Sequence, residues 1–192
     1  EAAQVIRGLR METDKRIRRS ATFGITTQHA TRMRARVDFL KASLDLRGAS
    51  LGLKGYSYWQ AIRGLESVIA TWEQVVPSTE RFVDRPNAFV LLSAAYGAIG
   101  ERDRAALAAE QAAQFAPGSA PIRLAAAAAW KAVGGWEKAH EHYFRAFKID
   151  SSQISASTLI DLAEVHLARQ VQKSPEEQNF GAFRKTLLQI EK

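Results

Sequence analysis

The chain has 192 residues, 46% hydrophobic and 24% charged, enough for one well-buried domain or for an elongated array of roughly four or five helix pairs. It contains no cysteine, which excludes a disulfide framework, thiol chemistry and thiolate metal sites. No run approaches the roughly 18 apolar residues that a membrane span requires. The net charge of +7 is lopsided: residues 1–48 hold eleven Lys/Arg against five Asp/Glu, and the remainder is nearly neutral.

Glu1 rather than Met stands first, which leaves room for a removed signal or anchor, and composition does not fix the compartment. Residues 1–40 read as a basic helical segment outside any repeat. Val5, Ile6 and Leu9 suggest a short helix that fades into Lys15, Arg16, Arg18 and Arg19. Ser20–Gly24 then breaks it from a second helix, in which Ile25, His29, Met33, Val37 and Leu40 share one face opposite Arg32, Arg34 and Arg36. Over 41–76, Leu44, Gly48, Leu51, Ala61, Leu65 and Val68 outline a divergent repeat whose second helix continues through Trp72 to Val76.

Two clear repeats follow, 86–119 and 120–153. A shift of 34 residues superimposes Tyr96 on Trp130, Gly100 on Gly134, Ala105 on Ala139 and Ala112 on Ala146. Since Ala61 and Ala105 lie 44 residues apart, ten more than this period, residues 77–85 read as an inserted loop. In the first repeat Phe89, Leu92, Tyr96 and Ile99 recur at helical spacing, and Gly100 ends the helix in the left-handed conformation. Asp103 is placed to cap a second helix that buries Ala105, Ala109, Ala112 and Ala113. The second repeat has Leu124, Ala127, Trp130 and Val133, the Gly134-Gly135 turn, then Ala139, Tyr143, Ala146 and Phe147.

Residues 154–192 read as a further divergent unit. Leu162, Ala163 and His166 supply its first core face. Ser174-Pro175-Glu176-Glu177 carries the signature of a helix start, and Phe180, Phe183, Leu187 and Ile190 form the stripe behind it.

The two clear units resemble the tetratricopeptide repeat (TPR). The first matches its pattern at Phe89, Leu92, Ser93, Tyr96, Ala105, Ala112 and Pro117, with Ala109 in place of an aromatic. The second matches at Ala127, Trp130, Ala139, Tyr143 and Ala146, and departs at Arg123, Ala126 and Ser151. The resemblance implies an all-α, right-handed α-solenoid of antiparallel helix pairs. It also implies a non-catalytic protein–protein interaction scaffold or adaptor.

The resemblance further implies a concave groove lined by the first helix of each pair. The matching positions are Asn87, Val90, Ala94, Gly97, Ala98, Leu124, Ala128, Lys131 and Ala132. Val90 and Ala94 stand where a carboxylate-clamping groove needs Lys and Asn, so the expected occupant is an amphipathic helix or peptide. It belongs to another protein, to a second copy, or to the chain's own N-terminal helix. The plainer alternative is that alanine here merely permits close packing between repeats.

No constellation of catalytic residues stands out, and no cofactor or metal is expected. Without a strand pattern, Gly134-Gly135 is a helix-hairpin turn and not a phosphate loop. Glu137, His140 and Glu141 share a helix face, as a cation site would require, but a solvated outer face is the expectation. His166 and His29 read as packing residues. The basic patch of Lys15, Arg16, Arg18, Arg19, Arg32, Arg34 and Arg36 is expected to be solvated or to bind protein. Nucleic acid and an anionic membrane are its alternatives, with Phe23 the one aromatic available for base stacking in that region. A regulatory protein contacting nucleic acid through this patch, and a helical accessory domain of a larger enzyme, are the competing functions.

Overall fold

The structure is a computed structural model that describes residues 4–5, 7–8, 11–12, 14–15, 27–75 and 84–190. The helices are α1 (Thr27–Ser50), α2 (Tyr58–Val75), α3 (Asp84–Ala98), α4 (Arg102–Phe115), α5 (Ala120–Ala132), α6 (Trp136–Ile149), α7 (Ala156–Val171) and α8 (Gly181–Ile190). The pieces described within residues 4–15 are also helical, and there is no strand among the described residues. The all-α reading holds. By contacts the chain divides into two compact units, residues 1–101 and 102–192.

In the first unit α1 and α2 form a hairpin, and α3 packs on α2 with a smaller contact to α1. Its core is built around Trp72, which is fully buried and lies against Phe39 with ring centroids 5.8 Å apart. Ala61, Ile62, Leu65 and Val68 from α2 and Ala88, Phe89, Leu92 and Tyr96 from α3 complete it. The α1–α2 crossing is close because both sides are small: a Cβ on Gly64 would stand 2.9 Å from the Cβ of Ala42.

The α1 face read from the sequence is not the one that packs. The buried stripe is Ala35, Phe39, Ala42 and Leu46; of the expected set, Met33 and Leu40 are exposed and Val37 is buried, while the side chains of Ile25 and His29 lie outside the described residues. Apolar residues occur on both sides of this helix, so the periodicity that singled out the larger side chains chose the wrong side. The helix also runs through residue 40 into Leu44 and Gly48 without a break. Residues 77–83 of the expected loop, with Ile25 and Ser20–Gly24, lie outside the described residues, while Asp84 and Arg85 already belong to α3.

In the second unit α4 through α8 pack each on the next. One cluster gathers Ala127, Ala139, Tyr143 and Val165, with Leu124, Trp130, Trp136 and Leu162 against it. Another joins Ala109, Ala113 and Ala126 to Ile122 and Ala129. The small residues expected of α4, namely Ala105, Ala109, Ala112 and Ala113, are all buried.

The two glycine turns close in the same way. Glu101 N–H donates to Tyr96 O at 3.0 Å and Gly100 N–H to Gly97 O at 3.1 Å; 34 residues later Gly135 N–H donates to Trp130 O at 2.9 Å and Gly134 N–H to Lys131 O at 3.0 Å. Gly100 and Gly134 have φ of +83° and +74°, the left-handed region that glycine enters without penalty. Gly134→Val is therefore expected to destabilise the protein by about 1–3 kcal/mol, read as a lower melting temperature. A melt like that of wild type would show that the turn tolerates a β-branched residue.

Two expected helix starts are corrected. Asp103 lies inside the first turn of α4 and not before it, where its charge still complements the helix N-terminus. Ser174-Pro175-Glu176-Glu177 makes a single 3-10 turn without a side-chain cap, and α8 begins at Gly181. The reason is Asn179: its Oδ1 accepts from Gly181 N–H at 2.9 Å, and its own N–H donates to Gln170 Oε1 at 2.7 Å. That side chain fixes the start of the helix six residues beyond Pro175.

Candidate functional site

The nine groove positions fall in both units, five on α3 and four on α5. On α3, Asn87, Ala94, Gly97 and Ala98 are exposed and Val90 is half-buried. Phe89, Leu92, Ala95 and Tyr96, on the other side of the same helix, are buried. The chain has no charged residue from Pro86 to Gly100, so the exposed side of α3 is both small and uncharged. A surface of this kind lets a partner backbone come close and offers no group for acid–base or nucleophilic chemistry.

On α5, Ala128 and Ala132 are exposed, whereas Leu124 is half-buried against the Tyr143–Val165 cluster. Lys131 is half-buried as well, with its ammonium held by Asp161 and Glu164 of α7. Partial burial alone would lower the Lys131 pKa, but the two carboxylates raise it above its ordinary value. Tyr143 O–H also donates to Asp161, at 3.3 Å. Burial, with Asp161 beside it, pushes the Tyr143 hydroxyl well up.

Sequence reasoning missed a buried polar chain in the second unit. Arg123 and His142 are only 6% and 3% exposed. Arg123 Nε–H donates to Pro117 O at 3.3 Å, and its Nη1 lies 3.2 Å from His142 Nδ1. A guanidinium can only donate, so Nδ1 accepts and the His142 proton sits on Nε2, which faces Glu110 Oε2 at 3.1 Å. Trp130 Nε1–H donates to the same oxygen at 2.8 Å. Burial raises the Glu110 pKa, but these bonds and the charge of Lys138 outweigh it and hold the carboxyl below its usual value. Arg123 is a position where the chain departs from the repeat pattern. A charge in a core slot was the available signal that a buried partner had to exist.

The basic patch is only partly described: Arg16, Arg18 and Arg19 lie outside the described residues. Lys15 and Arg36 are exposed and Arg32 is half-buried. Arg34 pairs with Asp14 at 2.9 Å and approaches Asp38 at 3.9 Å, so its charge is already engaged. The three residues on the conceivable cation face have separate partners. Glu137 pairs with Arg169, Glu141 with Arg145, and the His140 ring meets His166 edge-on with centroids 4.9 Å apart.

Burial, reinforced by Arg169 and His166, lowers the His140 pKa to about 4, and burial with Arg169 lowers that of His166. A depressed pKa in the folded state means that the unfolded chain binds protons first. The contribution of this pair is therefore full above the ordinary histidine value and is lost as pH falls towards about 4. The melting temperature is expected to drop between pH 7.5 and pH 5, and to drop less in His140→Gln/His166→Gln. Equal slopes for the two proteins would remove the pair as the cause.

No protein-family model matches the sequence, and no curated protein matches it. Solved structures do. A Podosopora anserina kinesin light chain with nearly identical TPR-like repeats superimposes with a TM-score of 0.60 at 16% identity, over 98% of this chain and 90% of that one. A crystal structure of MamA gives 0.56 at 16% identity, over 90% and 92%. BtubC (BKLC) from P. vanneervenii gives 0.51 at 14% identity, over 96% and 81%. The chain thus has the fold of TPR-like helical repeats.

Proposed function

We propose that this chain is a non-catalytic protein–protein interaction scaffold or adaptor that receives a helix or peptide on the small, uncharged face of α3, with the exposed alanines of α5 as a second contact in the other unit. The observation that carries this is the side of α3 that bears Asn87, Ala94, Gly97 and Ala98, exposed on a helix without a single charge from Pro86 onward. The TPR-like fold, in which the first helix of each pair lines the binding face, supports it. Lys131 is then less a free contact for the partner than a clasp between α5 and α7.

Ala94→Glu and Ala128→Glu place a carboxylate in the middle of each face at positions already open to solvent. Each is expected to weaken partner binding by about tenfold or more, because the charge has to be desolvated, with helicity unchanged by circular dichroism. Unchanged affinity in both variants would remove these faces from the binding site.

A further inference from the structure

We propose that the connection between α1 and α2 is a docking tip for an anionic lipid surface. Leu51, Leu53 and Trp59 are 65%, 51% and 53% exposed, three large apolar side chains within nine residues. Folding recovers little from side chains left in water, so a cluster of them at one turn calls for an occupant.

The tip is rigid. Leu53 N–H donates to Gly48 O at 2.9 Å and Gly52 N–H to Ala49 O at 3.0 Å, which closes the end of α1 through Gly52 at φ +66°. Tyr56 N–H then donates to Leu53 O at 3.3 Å across a turn with Gly55 at φ +89°. The Tyr56 ring lies over Gly48, where a Cβ would collide with it. Ser57 Oγ accepts from Gln60 N–H at 3.2 Å and caps α2, holding Trp59 in the first turn. Little order remains to be imposed when the tip meets a partner.

Charge selects the occupant. No Asp or Glu occurs from Leu46 to Leu65, while Arg47, Lys54 and Arg63 are all exposed. The acids that bound this stretch are engaged, Asp45 with Lys41 and Glu66 with the Tyr96 hydroxyl. Residues 51–55 are exposed one after another. Leucines that enter the acyl boundary, a tryptophan at headgroup level and cations that reach the phosphates match an anionic bilayer surface. No helix among the described residues is long and apolar enough to cross a membrane, so the contact is peripheral and reversible. It is separate from the Arg32–Arg36 patch, since Arg34 lies about 24 Å up α1 from Ser50. It shares no residue with the faces of α3 and α5.

The test is flotation of the full chain with vesicles of phosphatidylserine and phosphatidylcholine, and with phosphatidylcholine alone. The wild type is expected to float with the mixed vesicles only. Lys54→Glu should weaken this roughly fivefold or more. Leu51→Ser/Leu53→Ser/Trp59→Ser should abolish it at an unchanged melting temperature, and Arg36→Glu should retain it. A wild type that ignores both vesicles overturns the proposal, as does a triple variant that floats as well as wild type. Loss of a captured protein by the triple variant, with no vesicle binding by wild type, would assign the tip to a protein and also overturn it.

Discussion

Trp72→Ala is expected to destabilise the protein by about 3–5 kcal/mol and to lower its melting temperature by roughly 6–20 °C. Trp72 is fully buried on α2 and is the largest of the fully buried side chains among the described residues. It lies against Phe39 of α1, at the centre of a core to which α3 also contributes. Truncation removes the transfer energy of the indole and leaves a cavity that its neighbours close only in part. Trp59, one side of the same helix away and half exposed, provides the control: Trp59→Ala should shift the melt by no more than about 0.5 kcal/mol. Equal losses at the two positions would mean that α2 packs in another orientation.

His142→Leu is expected to cost about 3–5 kcal/mol, because it leaves the buried Arg123 guanidinium without its ring partner and Glu110 without one of its donors. The second substitution distinguishes this from an ordinary loss of packing. Arg123→Met in the same background removes the stranded charge and should restore most of the stability. It also returns an apolar side chain to the slot where the repeat pattern wants one. If the double variant were less stable than His142→Leu alone, Arg123 would be acting through contacts other than this chain of hydrogen bonds. Glu110 adds a pH dependence of known sign. Its pKa is depressed in the folded state, so its contribution is present above the ordinary carboxylate value and lost as pH falls through the folded one.

Local features of the fold were legible in the sequence, whereas contacts between helices were not. Gly100 and Gly134 announced their turns because a positive φ is a property of one residue, and Ala105, Ala109 and Ala112 announced a buried face because periodicity is a property of one helix. The face of α1 was misread because buried alanines such as Ala35 and Ala42, the second of which lets α2 approach, count for little beside Met33 and Leu40 in an apolar pattern. The polar contacts were invisible for a different reason. Tyr96–Glu66, Lys131–Asp161, Lys131–Glu164, His142–Glu110 and Arg169–Glu137 join residues 30 to 33 apart. That is close to one repeat, so charge and hydrogen-bond complementarity sought at the repeat offset would have found them. The exposed pairs among them, such as Arg169–Glu137, contribute only about 0–1 kcal/mol each and serve register more than stability.

The most direct test of the scaffold is affinity capture from native lysate on the full chain, with and without nuclease and at low and physiological salt. A protein contact through the faces of α3 and α5 predicts a discrete protein that survives nuclease, responds little to salt and is lost from Ala94→Glu/Ala128→Glu. Capture that vanishes with nuclease and falls steeply with salt would contradict the scaffold and transfer the function to the basic segment around Lys15–Arg36.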